Sequence, residues 1–393
     1  RGPRRVAGPA RGISKLSAGN AASAWETGIT RTLYRPFDTS RGILVTDREN
    51  WLRVVEFRYP ERIPCGIGFS PLTWHTHREK LKEVILRHPL LFPGYQKGKT
   101  DFDSFGDVYR EGEYYTDNWG CTWYNRIGGL EGQVVGHPLE DWSALAGYEF
   151  PDVMTKSERG DRDWNSIRET IAHQRERGEL VVGNGERLFD RLYFLRGFEN
   201  LTADFATDDP HLQVLIDRFT EHQLKLVNEY LKIGVDAIAF HTDIGTQNAL
   251  MISPAKFRKY IKPMFMTLFR PIREAGAHVI LSSDGRLIEI VDDLIECGVS
   301  VHDPQLRANT LDDIEKFYKG RLCANVDLDR QMWAFCTPED IDAQVRQVVE
   351  RLYTPEGGLM VSASVWDANT PLENIDALCT ALEKHVLSIT SVG

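Results

Sequence analysis

Gly234-Val235-Asp236-Ala237-Ile238-Ala239-Phe240-His241-Thr242-Asp243 is the stretch that decides the fold. Leu212, Leu215, Phe219, Leu226 and Tyr230 before it follow helical spacing, and Gly234 stops that helix. Val235 to Phe240 is then an apolar run of strand length that ends in polar residues. The alternation recurs on the C-terminal side. Ser253-Pro254 supplies the N-cap and first residue of a helix that Gly276 closes before the strand His278-Val279-Ile280-Leu281. A helix over 287–296 ends at Gly298 before Val299-Ser300-Val301, and a short helix over 311–317 precedes Leu322-Cys323-Ala324-Asn325. Thr337-Pro338-Glu339-Asp340 and Thr370-Pro371-Leu372-Glu373 open two further helices on either side of the strand Leu359-Met360-Val361-Ser362. Strict alternation of strand and helix implies parallel strands joined by helical crossovers.

The N-terminal half is less regular. Residues 47–57 have a helical pattern, 63–68 form a strand and Leu180-Val181-Val182-Gly183 another, which makes seven strands with the eighth unplaced. Between the first two strands, 114–135 is aromatic and Gly-rich with period-two stretches, the signature of a β-hairpin insertion, here expected over the barrel mouth. The expected fold is therefore an α/β, (β/α)8 TIM-type barrel with an N-terminal extension and a β-hairpin insertion. Residues 1–25 are basic, with no acidic residue before Glu26, and are expected to be a disordered tail; 26–393 are expected to form one barrel domain.

A chain of 393 residues, 42% hydrophobic and 26% charged, can bury one large core. Its net charge of −10 argues against a nucleic-acid ligand, since phosphate backbones reward clustered Lys and Arg. Small molecules or another protein are the expected partners, and the oligomeric state is left open, a homo-oligomer included. The six cysteines are scattered without Cys-x-x-Cys spacing, which fits buried thiols in a reducing compartment. No apolar run reaches membrane-spanning length, so no membrane partner and a cytoplasmic location are expected.

In such a barrel the C-terminal strand ends face the reaction site. Here they carry His241 and Asp243, Ser282 and Asp284, His302 and Asp303, Asn325 and Asp327, then Ser364 and Asp367. His241, Asp243 and Asp284 are the candidate catalytic groups, because imidazole and carboxylate side chains exchange protons near neutral pH. His241, Asp284 and His302 are the candidate ligands of zinc or another divalent metal. A hydrogen-bonded network that closes the barrel top is the alternative for these groups. Tyr115, Trp119 and Trp123 are candidates to stack on a flat substrate beside Asn325, against the alternative that they form the hairpin's packing face. His75 and His77 are expected in a solvated loop, and Arg187, Arg191 and Arg196 on a helix where surface ion pairs account for them.

Several segments, in order, resemble the uroporphyrinogen decarboxylase-like superfamily, which includes corrinoid-dependent methyltransferases. They are Asp47-Arg48-Glu49-Asn50-Trp51 through Pro60-Glu61-Arg62-Ile63-Pro64, Phe189 through Leu195-Arg196-Gly197-Phe198-Glu199, His241-Thr242-Asp243-Ile244-Gly245-Thr246-Gln247, and Ser283-Asp284-Gly285. The resemblance spans roughly 47–385 and implies the same barrel. True decarboxylases of the superfamily carry an Arg-Gln-Ala-Gly-Arg-Tyr segment after the first strand to hold substrate carboxylates. This chain has Gly66-Ile67-Gly68-Phe69-Ser70-Pro71 there, with no arginine. Methyltransferases with thiol acceptors carry a His-x-Cys zinc pair and a later cysteine, where this chain has Ser282-Ser283-Asp284 and Ser364. The resemblance then implies a methyltransferase that moves a methyl group from a small O-methyl or N-methyl donor, a methoxylated aromatic being the first candidate, to a corrinoid protein. A decarboxylase of an acidic tetrapyrrole-like substrate and a non-catalytic barrel that binds a corrinoid or porphyrin are the alternatives.

Overall fold

The computed structural model describes residues 45–389, so the expected tail at 1–25 lies outside the described residues. The strands are β1 (Cys65–Phe69), β2 (Tyr114–Thr116), β3 (Thr122–Tyr124), β4 (Gln133–Gly136), β5 (Lys156–Ser157), β6 (Gly160–Asp161), β7 (Val182–Arg187), β8 (Ala237–His241), β9 (His278–Ser282), β10 (Val301–His302), β11 (Cys323–Asp327) and β12 (Leu359–Val365). Seven of them form one curled parallel sheet, in the order β1-β12-β11-β10-β9-β8-β7. This is the TIM-type barrel expected. Among the described residues no strand joins β1 to β7, so the eighth stave is missing. The strand expected at 180–183 begins at Val182 and runs on to Arg187, because the polar residues Asn184 and Arg187 continue the ladder, across a register shift between them, where apolar periodicity alone ends it too early.

Alternation along each strand sorts its side chains into two sets. One set, Ala237, Val301, Cys323 and Met360 with Val182 and Ile280, meets Trp51, Val54 and Val55 of the helix Asp47–Val55 inside the barrel. That helix plugs the N-terminal end, held by the Arg48–Asp236 ion pair at 2.8 Å. The other set, including Ile67, Ile238, Phe240, Val279, Leu281, Val326 and Val361, packs outward against the helices. Following the parity of the inner set toward the C-terminal end gives Ala239 and His241 on β8, Ser282 on β9, Asn325 and Asp327 on β11, Ser362 and Ser364 on β12, and Gly66 and Gly68 on β1. The interior is thus apolar and closed below, and small and polar above.

The insertion holds three antiparallel strands, β2-β3-β4, rather than one hairpin, followed by the small β5-β6 pair. It spans the side of the barrel where the stave is missing. At one end the Leu72 N–H donates to the Gly129 carbonyl at 3.3 Å; a Cβ at Gly129, whose φ is +81°, would stand 2.6 Å from the Leu72 nitrogen. At the other end Cys121 Sγ and His137 Nδ1 bond the Phe194 carbonyl, on the helix Phe189–Arg196 that follows β7.

Candidate active site at the barrel mouth

Carboxylates stand at four successive strand ends. Asp243 follows β8, Asp284 follows β9, Asp303 follows β10 and Asp327 ends β11. The loops after β8 and β9 touch backbone to backbone: a Cβ at Gly285 (φ +90°) would lie 2.3 Å from the Gly245 carbonyl carbon. This contact lets the Asp284 N–H donate to Asp243 Oδ1 at 3.0 Å. Gln305 ties the next loop in, donating through Nε2 to Asp284 Oδ1 at 2.7 Å and accepting the Gly285 N–H at 2.8 Å. Asp303 accepts from the Ser282 hydroxyl and from the Ser283 N–H at 2.9 Å. Arg330, beyond β11, reaches Asp284 at 2.7 Å and Asp327 at 3.3 Å.

Crowding of like charges sets the electrostatics. Burial holds Asp303 well above the usual carboxylate range, with Asp327 and Asp284 pushing the same way against the Ser282 and Ser283 hydrogen bonds. Burial also pushes Asp327 up to about 6, because Arg330 offsets only part of that penalty. Asp284, although its side chain is 56% exposed, is also raised by desolvation within the rim, with Arg330 opposing it and Asp243 adding to it. On the other flank, burial lifts Asp190 to about 7, although Arg187 lies 3.2 Å away. His241 is open to the mouth and its ring makes no hydrogen bond to any described residue. Desolvation within the rim and the nearby Arg187 guanidinium hold its pKa below the ordinary value, so the imidazole is neutral at pH 7.

His241, Asp243, Asp284 and Asn325 therefore share the mouth, as expected, but His302 does not. In β10 Val301 takes the inner position, so parity turns His302 outward. There it is fully buried against the ring of Tyr318, whose hydroxyl pairs with its Nδ1 at 2.9 Å, and burial lowers it to about 3. The inner position falls to Asp303 instead. The alternation of Val299 and Val301 is the signal that would have identified it. With His302 facing away, the expected metal trio is not assembled, and among the described residues no three His, Cys, Asp or Glu groups are arranged to hold a metal ion.

The aromatic platform also fails. Trp119 and Trp123 are each 1% exposed. Trp123 stacks on Tyr115 and donates to Asp117, while Trp119 packs on Phe150, Phe219 and His222, leaving neither ring a face for a ligand. Only Tyr115 stays half-buried. The insertion is a packed wall, and what fastens it is a buried charge network that surface ion pairing had been expected to explain. Arg191, 1% exposed, bonds Asp117 at 2.9 Å and Glu158 at 3.0 Å. Arg187 bonds Glu158 at 3.2 Å, Glu131 at 3.0 Å and Asp190. Burial pushes Glu158 up, but the two arginines overcome it and hold the carboxyl below its ordinary value. Arg196 is likewise buried and paired with Asp204 at 2.8 Å. His75 and His77 sit in the opening turns of the helix Pro71–Arg87, not in a loop, because Ser70 caps that helix immediately after β1. Asp367 serves as a turn cap, accepting from the Asn369 and Thr370 N–H groups at 2.6 and 2.8 Å.

A parallel barrel with a plugged floor and a polar C-terminal mouth defines the class. Residues 188–385 match the model of the uroporphyrinogen decarboxylase (URO-D) family, half of the chain, and the protein belongs to that family. Its fold is similar to that of a methyltransferase from Methanosarcina mazei, with a TM-score of 0.54 and 17% identity over 86% of this chain and 98% of that one. Similarity to a dihydropteroate synthase from Burkholderia cenocepacia is slighter, at a TM-score of 0.27 and 9% identity over 46% of this chain and 57% of that one. A 3-keto-L-gulonate-6-phosphate decarboxylase from Vibrio cholerae gives 0.24 and 10% over 56% and 91%. No curated protein matches the chain.

Proposed function

We propose that the protein is a corrinoid-dependent methyltransferase, moving a methyl group from a small O-methyl or N-methyl donor in the barrel mouth to a corrinoid carried by a partner protein. The observation that carries this reading is the inner face of β1. Its inward positions are Gly66 and Gly68, with nothing within 4 Å of a Cβ placed at Gly68. The place where decarboxylases of the family hold substrate carboxylates is thus empty space, and the facing rim is carboxylate-rich. A polyacidic tetrapyrrole would meet repulsion there rather than charge-assisted anchors. The shared fold with a methyltransferase supports the same branch.

The reduced corrinoid is a strong nucleophile and needs no activation, so the barrel's own task is to orient the donor and assist the leaving atom. His241, neutral and unengaged, can accept or donate a hydrogen bond at that atom; Asp243 and Asp284 fix the loops around it. A docked partner would exclude water from the mouth. The test is to mix the protein with cob(I)alamin and a panel of methoxyarenes and methylamines and follow the spectral conversion to methylcob(III)alamin. Conversion with at least one donor is expected. No conversion with any donor, together with carbon dioxide release from uroporphyrinogen, would replace this reading with a decarboxylase.

A further inference from the structure

The mouth gathers more acidic side chains than its own cations pair. Asp243, Asp284, Asp303 and Asp327 line four adjacent strand ends, and among the described residues Arg330 is the cation that bonds any of them, through Asp284 and Asp327. Arg187 lies near enough to Asp243 and His241 to be felt there, but its hydrogen bonds go to Glu131, Glu158 and Asp190. A second observation points into the same space. Asn325 is 9% exposed, occupies the inner face of β11 two residues before Asp327, and its side-chain oxygen is buried with no hydrogen-bond partner among the described residues. An unpaired acceptor beneath acidic groups that share a single bonded cation is a costly arrangement unless a ligand completes it.

We infer that the methyl donor bound in this mouth is a small organic cation, a methylated ammonium, rather than a neutral methyl ether. The inference rests on the methyltransferase reading and narrows its substrate class. The carboxylates are spread around the rim instead of converging on one point, which suits a cation several ångströms across better than a metal ion. The aromatic wall that would favour a methoxyarene is packed away, with Trp119 and Trp123 each 1% exposed. The chemistry agrees. When a quaternary ammonium gives up a methyl group, the carbon gains a bond formed by the electron pair of cobalt(I) on the partner's corrinoid. The carbon–nitrogen bond breaks with its pair returning to nitrogen, cobalt becomes formally cobalt(III), and a neutral amine leaves. No proton is consumed, so a neutral His241 suffices.

Titration calorimetry at constant ionic strength, with choline and with its uncharged carbon isostere 3,3-dimethylbutan-1-ol, tests this on the full chain without any variant. Choline is expected to bind on the order of tenfold or more tighter than the isostere, since the two differ in charge and hardly in shape. Asp327→Asn, checked for folding by circular dichroism, should erode that ratio at pH 8, where the Asp327 carboxyl is ionised. Equal binding of the two probes, or binding of 2-methoxyphenol but not of choline, overturns the inference. The corrinoid assay separates the two levels of argument. Choline binding without methyl transfer from any donor leaves the cation site standing and removes the methyltransferase reading. Methyl transfer from a methoxyarene alone does the reverse.

Discussion

Replacing Asp327 by asparagine removes a charge that the folded protein holds at a cost. The Asp327 carboxyl is 13% exposed and faces Asp284, with Arg330 at 3.3 Å as partial compensation. Its pKa stands near 6 in the folded chain against an ordinary 3.8. Above pH 6 the group is ionised whether folded or not, and the folded state bears the whole penalty, at most ~3 kcal/mol. Below the unfolded value it is protonated in both states and the penalty vanishes. Between these limits wild-type stability gains as pH falls. The asparagine amide copies the protonated acid in shape and keeps an acceptor for Gln305, and Arg330 retains Asp284 at 2.7 Å. Asp327→Asn should therefore be more stable than wild type by about 1–3 kcal/mol at pH 8, with the difference shrinking to about 0.5 kcal/mol or less by pH 4. Urea unfolding of both proteins at the two pH values measures it, and other titrating groups cancel in the difference. A variant no more stable than wild type at pH 8, or a gain that ignores pH, would refute the claim that the mouth stores repulsion.

His241→Ala should slow transfer from an O-methyl donor, whose leaving oxygen needs a proton, far more than from a quaternary ammonium, while changing stability by less than about 0.5 kcal/mol, since the ring bonds no described residue; a large drop in melting temperature would make it a structural residue instead. Gly68→Leu projects into open space and should keep the fold yet block donor binding, as read by calorimetry; undiminished binding would show that the cavity lies elsewhere. His302→Leu combined with Tyr318→Phe removes both members of a buried pair, so stability should move by no more than ~1 kcal/mol and transfer rates should not move at all. Arg191→Met leaves Asp117 and Glu158 buried without their shared cation and should cost roughly 3–5 kcal/mol, with proteolysis between residues 114 and 161 as its local signature.

The fold was legible where burial is two-sided and local. Runs such as Val235–Phe240 and Leu359–Ser362 are apolar because both faces of a parallel strand are covered, and Gly234, Gly276 and Gly298 end their helices in the left-handed or turn conformations that favour glycine. The site was legible only to the level of strand ends. Which of two neighbouring polar residues turns inward depends on register, and a one-residue error exchanges the faces, as it did for His302 and Asp303. The buried network of Arg187, Arg191, Asp117, Glu131 and Glu158 depends on contacts over as many as 74 positions in sequence, which no local pattern encodes. The two failures have a common consequence. Moving His302 out of the mouth and Asp303 in exchanges an imidazole for a carboxyl, and packing Trp119 and Trp123 into the wall removes the aromatic surface. What is left at the strand ends, among the described residues, is one free imidazole amid four acidic side chains, and it is this composition, rather than any shape, from which a cationic ligand is inferred.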